Sequence, residues 1–380
     1  MRKILKAFKN LYLNIRAFKF NILSGLTSRL RKKEFNRKST RSILVISLKR
    51  VGDIILSLPA FRAIKDSLPR SQVTVFADAY TKDILERIPY IDAVVPYGKD
   101  SSFLKKAKQV KKLSYNSFDL ALDLTCDYTF EGALWTWLSG AKFRAGYDTW
   151  KRGFLFHQPV MPPKGVIHAI DEILNVAQSI GLKTKNKNLK ISASKEDTDT
   201  VKKFLRDNNV KSDMLLTGIH PGGYYPTQRW LTERFAEVAD KLVEKHKARI
   251  VLIGGPKEEK IIQQITTRMT IQPLVFVNKP LGDLLALLQS CHLLICNNSG
   301  PLHMATALGT MTVSTMGPTL PERWWPQGKG HIVIRKDLPC MPCNEGYCRL
   351  KTLECMKLIT VEDVLKAVET QISKIKKTKK

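Results

Sequence analysis

The sequence predicts an α/β protein built of two doubly wound, Rossmann-like halves facing a central cleft. Three observations carry this. Short apolar, β-branched runs alternate with helical stretches, the mark of parallel strands joined by right-handed crossovers. The series is interrupted by the polar stretch KTKNKN at residues 183–188 and then starts again. The length of 380 residues suits two domains, each with its own core.

The elements follow in order. Residues 1–40 read as a basic amphipathic arm. Ile4, Phe8, Leu11, Ile15, Phe18 and Ile22 recur at alternating helical spacings and form one narrow stripe, with Arg2, Lys6, Lys9 and Arg16 opposite. That pattern predicts a helix lying in a membrane interface against anionic headgroups. The run SILVISL at residues 42–48 predicts a buried strand, and a helix follows to about Ser67. Further strands are expected at 73–77, 93–95 and 118–122, with a helix over 168–180. After the polar break, strands are expected at 215–219, 250–253, 274–277, 293–296 and 312–315, and helices over 232–247 and 361–374. Residues 284–321 carry no Asp, Glu, Lys or Arg. Asn297, Asn298, Ser299, Gly300, Pro301 and Gly309 break that stretch into a buried helix–strand–helix–strand segment rather than a membrane span. The expected domains are the arm at 1–40, a first half at 41–185, a second at 186–360 containing a cysteine cluster, and a C-terminal helix with a lysine-rich tail at 361–380.

Charge is the unusual part of the composition. The chain holds 63 basic and 34 acidic residues, a net of +29. The excess is concentrated at the ends, with 13 Lys/Arg against Glu34 alone in residues 1–41 and five lysines in the last eight. A polyanionic partner is implied, either an anionic membrane or a nucleic acid. The aromatic platforms or known modules of RNA-binding proteins are not found in the sequence, so no nucleic acid is expected. No secretory signal is visible, which points to a cytosolic setting. There a cysteine cluster reads as a metal site before it reads as disulfides. Cys340-x2-Cys343-x4-Cys348-x6-Cys355 fits a structural zinc.

Three glycine-bearing turns follow strands: Val51-Gly52-Asp53, His220-Pro221-Gly222-Gly223 and Asn298-Ser299-Gly300-Pro301. Ligands of open parallel sheets bind at such strand ends. None of the three is a dinucleotide fingerprint or a P-loop. In the third, Asn298 or Ser299 is placed to cap a helix and Pro301 fits its first turn, leaving an anion site for a diphosphate with His303 close by. Asp53, at a helix start, is a candidate general base.

Together these residues resemble glycosyltransferase family 9, the heptosyltransferases of the lipopolysaccharide inner core. The resemblance lies in ILVISLKRVGDIILSLPAFRAIKDSLP, in HPGGYYPTQRWLTERFAEVADKL and in LLICNNSGPLHMATALG with VSTMGPT, and it covers about residues 42–370. It implies a GT-B fold, an inverting transfer without a catalytic metal, and a nucleotide-heptose donor. It also implies an acceptor-binding first half, a donor-binding second half, and a location on the cytoplasmic face of the inner membrane. Carried over, Asp53 would deprotonate the acceptor hydroxyl, with Lys49 and Arg50 as acceptor contacts. Gly222, Asn298, Ser299, Gly300 and His303 would hold the donor, and Glu258 its ribose hydroxyls. Gln228 stands where the family has a phosphate-contacting lysine, and the neighbouring Arg229 would supply that charge. Asn298 stands where the family has an aspartate. The alternatives are a GT-B transferase with another sugar donor or lipid-linked glycan acceptor, and, further off, an RNA-binding protein.

Overall fold

A computed structural model describes residues 33–47, 50–98, 100–127 and 129–378. The stripe within residues 1–32, and Lys49, lie outside the described residues. The chain divides into two units between Lys187 and Asn188.

The first unit runs β1 (Ser42–Ser47), α1 (Val51–Leu56), α2 (Leu58–Ser67), β2 (Gln72–Asp78), α3 (Lys82–Leu85), β3 (Ala93–Tyr97), α4 (Phe103–Leu113), β4 (Leu120–Asp123), α5 (Glu131–Leu138), β5 (Phe143–Tyr147), β6 (Gln158–Val160) and α6 (Ala169–Gln178). Its strands form one parallel sheet in the order β3-β2-β1-β4-β5-β6. The second unit runs α7 (Lys195–Asp207), β7 (Leu216–His220), α8 (Thr232–His246), β8 (Arg249–Gly254), α9 (Glu259–Thr266), β9 (Leu274–Val277), α10 (Leu281–Ser290), β10 (Leu293–Asn297), α11 (Gly300–Leu308), β11 (Met311–Thr315), α12 (Pro321–Trp324), β12 (His331–Ile334), α13 (Glu354–Lys357) and α14 (Val361–Thr378). Its parallel sheet has the order β12-β11-β10-β7-β8-β9. Each chain half starts in the middle of its sheet, walks to one edge, then returns to build the other side. The strand order therefore reverses between β1 and β4, and again between β7 and β10, the places where such sheets bind ligands.

Burial explains which strands the sequence announces. Ile43, Leu44, Val45 and Ile46 of β1 are fully buried, as helices cover both faces of a parallel sheet. The strands the sequence reading passes over are β5, β6 and β12. Two of these are sheet edges, where burial is incomplete and no continuous apolar run is needed; β6 tolerates Pro159 for that reason. In β5 the sequence FRAGY is broken by Arg144, whose guanidinium donates to the Ala141 and Leu155 carbonyls. The single helix expected up to Ser67 is two. Pro59 lacks an N–H and would clash with the carbonyl one turn back, so α1 ends at Leu56 and α2 begins at Leu58.

The last residues before β1 are anchored. The Phe35 ring lies 5.3 Å from the Phe143 ring, and Arg37 donates twice to the Ser67 carbonyl at the end of α2. At the other end, Val361, Val364, Val368 and Ile372 of α14 are buried in the core of the second unit. Among the described residues no helix is long and apolar enough to cross a membrane. Residues 284–321 form most of α10, then β10, α11 and β11, with α11 and both strands largely buried.

Candidate active site

At the reversal point of the second sheet, β7 and β10 lie side by side and end level, with Cys296 opposite His220. Asn297 closes β10 and is fully buried. Its amide nitrogen donates to the Pro221 and Gly222 carbonyls at 2.8 and 2.9 Å. Its oxygen accepts from the Trp230 backbone N–H at 2.9 Å and the Thr315 hydroxyl at 2.8 Å. Two donated and two accepted bonds use the full capacity of a side-chain amide. One residue thus ties the turn after β7, the approach to α8 and the end of β11 to β10.

The turn after β7 is held open by what surrounds Gly222. A Cβ there would lie 2.7 Å from Glu258 Cγ and 2.8 Å from His220 Cε1, so only glycine fits. Glu258 comes from the end of the neighbouring strand β8, in the turn leading to α9. Its carboxylate accepts the Gly255 N–H at 3.0 Å. On the other side of His220, Nδ1 lies 3.2 Å from the Ser299 hydroxyl at the start of α11. The structure thus brings Gly222, Glu258 and Ser299 together around His220. Burial, with the nearby Arg229 charge adding to it, pushes the His220 imidazole down to about 4, so the ring is neutral at pH 7.

Arg229 Nε donates to the Gly223 carbonyl at 2.9 Å, fixing the cation beside this turn. Gln228 folds back on its own segment, with Oε1 accepting the Tyr225 N–H at 3.3 Å. Asn298 is buried, and its N–H donates to the Thr315 carbonyl. His303 is buried one turn into α11, its ring 6.3 Å from that of Trp324. The expected capping of this helix is corrected by the structure. Ser299 occupies the N-cap position, yet α11 has no side-chain cap. The Ser299 hydroxyl is spent on the Asn297 carbonyl and on His220 instead.

In the first unit, Asp53 stands half-buried in the first turn of α1, directly after β1, with Arg50 exposed at the N-cap position. Beside them in sheet order, β4 ends at Asp123, which is fully buried. Arg152 is also fully buried. It lies 3.4 Å from Asp123 and donates to the carbonyls of Tyr147, Thr125 and Thr129. Burial pushes the Asp123 carboxyl up against the downward pull of Arg152.

The four clustered cysteines occupy the loop between β12 and α13 and the start of α13. Cys340 and Cys343 are exposed, Cys348 is half-buried and Cys355 is buried. Their thiols are the right donors for zinc. Among the described residues, however, no three His, Cys, Asp or Glu side chains gather into a group that could hold an ion. The loop does brace the turn before α8. Glu345 O accepts the Thr227 hydroxyl at 2.9 Å, and Gly346 packs against the Tyr225 ring.

Sequence reasoning meets His220 and Asn297 only as parts of a turn and of a break and gives them no role of their own, and it passes over Asp123 and Arg152. The first three share a signal, since each is the polar residue that closes an apolar strand: LTGIH, LLICN and LALD. Arg152 gives no such signal.

This arrangement of two sheets, each with its ligand edge at a reversal of strand order, recurs in solved structures. A family 9 glycosyl transferase from Veillonella parvula is similar with a TM-score of 0.78 and 23% identity, over 90% of this chain and 99% of that one. The ADP-heptose LPS heptosyltransferase II of E. coli is similar with a TM-score of 0.75 and 22% identity, over 88% and 99%. Among curated proteins, the lipooligosaccharide heptosyltransferase 2 of Haemophilus ducreyi is 27% identical over 77% of this chain and 88% of its own. The fold is GT-B and the protein is a glycosyltransferase. The model of glycosyltransferase family 9 (heptosyltransferase) matches residues 107–354, well over half of the chain. The chain belongs to that family.

Proposed function

We propose that the protein transfers a heptose from a nucleoside-diphosphate donor of the ADP-heptose type to a lipopolysaccharide core acceptor, with inversion at the sugar. One observation carries the reading. At the ligand edge of the second sheet, an uncapped helix N-terminus, a fixed cation and a carboxylate converge on a turn that only glycine can form. The start of α11 and Arg229 would meet the diphosphate, offsetting the charge that grows on it as the sugar departs. Glu258, with one oxygen held by Gly255, would accept from the ribose hydroxyls. Gly222, Asn298, Gly300 and His303 would shape that pocket, with Gln228 supporting the turn rather than touching phosphate. In the first unit Asp53 would take the proton from the acceptor hydroxyl, next to Arg50 and Lys49 as contacts for an anionic acceptor.

The test is direct. The full-length protein is incubated with ADP-heptose and a lipopolysaccharide core acceptor, and the acceptor's mass and the released ADP are followed together. Equal amounts of heptosylated acceptor and ADP are expected. Asp53→Ala is expected to lower kcat about a hundredfold or more while ADP affinity stays within about twofold. A different preferred sugar in a donor panel, or near-normal turnover by Asp53→Ala, overturns the respective part of the reading.

We also propose that the basic arm holds the protein peripherally on an anionic membrane face. Each Lys or Arg near such a surface contributes about 1 kcal/mol at low salt. Because Phe35 and Arg37 pack on the body, the arm is best removed as residues 1–32. That truncation is expected to leave anionic vesicles while keeping turnover on a soluble acceptor analogue. Sedimentation with vesicles checks it, and unchanged pelleting rules the anchor out.

A further inference from the structure

We propose that Trp150 and Lys151, at the tip of the turn after β5, grip an anionic sugar of the acceptor, the indole stacking on the sugar ring and the ammonium meeting its phosphate or carboxylate. The inference rests on the acceptor reading of the first unit given above and adds two residues to it.

The position suits that task. β1, β4 and β5 are neighbours and run parallel, so the turns that follow them open on the same edge of the sheet. Asp53 follows β1 there, and the turn after β5 carries Trp150 and Lys151. Arg152 fastens this turn to the one after β4 by donating to the Thr125 carbonyl at 2.5 Å and to the Thr129 carbonyl.

The backbone of the tip is strained. Trp150 has φ 53° and ψ 42°, and Lys151 has φ 60° and ψ 29°. Both are left-handed, a conformation that crowds the Cβ of an L-residue against its own backbone and that glycine or asparagine takes most readily. Elsewhere among the described residues, non-glycine residues of positive φ stand singly, and three of them are Asn209, Asn278 and Asn344. Two fastenings impose the conformation. Arg152 Nε donates to the Tyr147 carbonyl at 2.9 Å, and the Gly153 N–H donates to Asp148 Oδ1 at 2.7 Å. The chain must therefore reverse within residues 149–151. A Cβ on Gly153 would lie 2.5 Å from Asp148 Cγ, so the second fastening needs glycine.

These fastenings require a left-handed turn but not these side chains, since Asn-Gly makes such a turn with less strain. Nothing inside the molecule offsets the choice. Trp150 is 36% exposed and Lys151 is exposed, and neither side chain makes a hydrogen bond or ion pair with a described residue. An exposed indole next to an unpaired ammonium, held under strain at the ligand edge, fits a charged saccharide: the apolar C–H face of the sugar lies on the ring and its anion meets the ammonium.

The test exchanges the tip of the full-length protein for the residues the turn itself prefers. Trp150→Asn combined with Lys151→Gly is expected to raise Tm by about 2–4 °C as the strain is relieved. The same variant is expected to raise the acceptor KM about tenfold or more, with kcat changed less than about threefold and ADP affinity within about twofold. Calorimetry with a deacylated, phosphorylated core oligosaccharide reads the loss of affinity without any donor, so an error in the donor sugar does not touch the result. Lys151→Gly alone is expected to abolish the preference for that oligosaccharide over either its dephosphorylated or its carboxyl-reduced form, and which preference is lost identifies the anion. Trp150→Asn alone is expected to weaken all three forms alike. A stabilised double variant that keeps the acceptor KM and the oligosaccharide affinity would show that the tip meets no acceptor. A lowered Tm would show that the two side chains hold the fold. Lost binding to anionic vesicles with unchanged oligosaccharide affinity would assign the tip to a bilayer surface. Each of these three results overturns the proposal.

Discussion

The two sheets share one strand order, and each ends its fourth strand on a fully buried polar residue, but the two residues are of opposite kinds. β4 ends on Asp123, a carboxylate whose counter-ion Arg152 is equally buried. β10 ends on Asn297, a neutral amide with all four hydrogen bonds made. Asp123 has less: Thr125 bonds one oxygen through both its N–H and its hydroxyl, while Oδ2 has no hydrogen-bond partner among the described residues and relies on Arg152. The same topological slot is thus pinned by a buried carboxyl–guanidinium pair in one unit and by a neutral amide in the other. The difference follows from what each slot must hold. The groups facing Asn297 include two carbonyls, which need donors, so an acid cannot stand there. A neutral pin also leaves the positive potential of α11 and Arg229 undiminished where a diphosphate is proposed to sit.

Breaking the charged pin should have the largest effect. Arg152→Met strands the Asp123 carboxylate in a dry interior and is expected to cost roughly 4–5 kcal/mol in denaturant unfolding. Adding Asp123→Asn should recover much of that loss. The loss should also shrink on acidification. Burial already raises the Asp123 carboxyl in the folded state, so its protonated form is tolerated, and stability from it is retained at low pH and lost as pH rises through the raised value. A loss that is independent of pH and of residue 123 would mean that Arg152 matters through its three carbonyl contacts alone.

Converting the neutral pin into the charged kind comes next. Asn297→Asp turns two donors into acceptors facing the Pro221 and Gly222 carbonyls. It is expected to cost roughly 3–4 kcal/mol, and to weaken ADP binding by more than that instability explains. Calorimetry well below the unfolding temperature separates the two. Unchanged ADP affinity in a folded Asn297→Asp protein would show that neutrality at this slot serves stability only.

Most of this architecture was legible in the sequence for one physical reason. Central strands of parallel sheets are covered on both faces, so SILVIS, RIVLIG and LLICN stand out as apolar runs. The site-bearing turns were legible because glycine after such a run marks a place where backbone must come close to something. The pins were not. A polar residue closing an apolar run looks like the start of a loop, and what His220 or Asn297 bonds depends on which strand lies alongside, which only the sheet order tells. For the same reason Asn298, aligned with the family aspartate, drew attention that its buried neighbour Asn297 shares. The folding back of Gln228 onto Tyr225 was equally hidden, since an exposed-looking glutamine in a turn carries no pattern.

The neutrality of the second slot extends to His220 and gives it a pH dependence of the opposite sign to that of Asp123. Its folded value of about 4 lies below the ordinary 6.5. As pH falls from about 6.5 towards 4, the unfolded chain takes up a proton that the folded ring refuses. The stability tied to this group is present above 6.5 and drains away across that window, by up to about 3 kcal/mol. His157, also pushed to about 4 by burial, contributes in the same direction from the first unit. The expected signature is that His220→Asn and His157→Asn each flatten the acid limb of the stability curve over the same span, between about 6.5 and 4. An acid limb unchanged in both variants would place the acid sensitivity elsewhere.

The smallest effects compare the two slots most finely, because each pin is supported by a buried threonine hydroxyl. Thr315 donates to Asn297 Oδ1, and Thr125 donates to Asp123 Oδ1. Valine removes either hydroxyl with little change of shape. At Asn297 the oxygen keeps the Trp230 N–H, so Thr315→Val leaves no group unsatisfied and should cost about 1 kcal/mol. At Asp123 the lost bond goes to a charged oxygen in a dry site, where such bonds are stronger, so Thr125→Val should cost about 2 kcal/mol. The ordering matters more than either size. If the two substitutions cost the same, Asp123 is protonated in the folded protein near neutral pH. Its hydroxyl partner would then be an ordinary neutral one, and the two slots would differ in residue but not in charge. If Thr125→Val costs more, and the excess disappears when both are measured at acid pH, the carboxylate is ionised beside Arg152 and the contrast between the units is electrostatic.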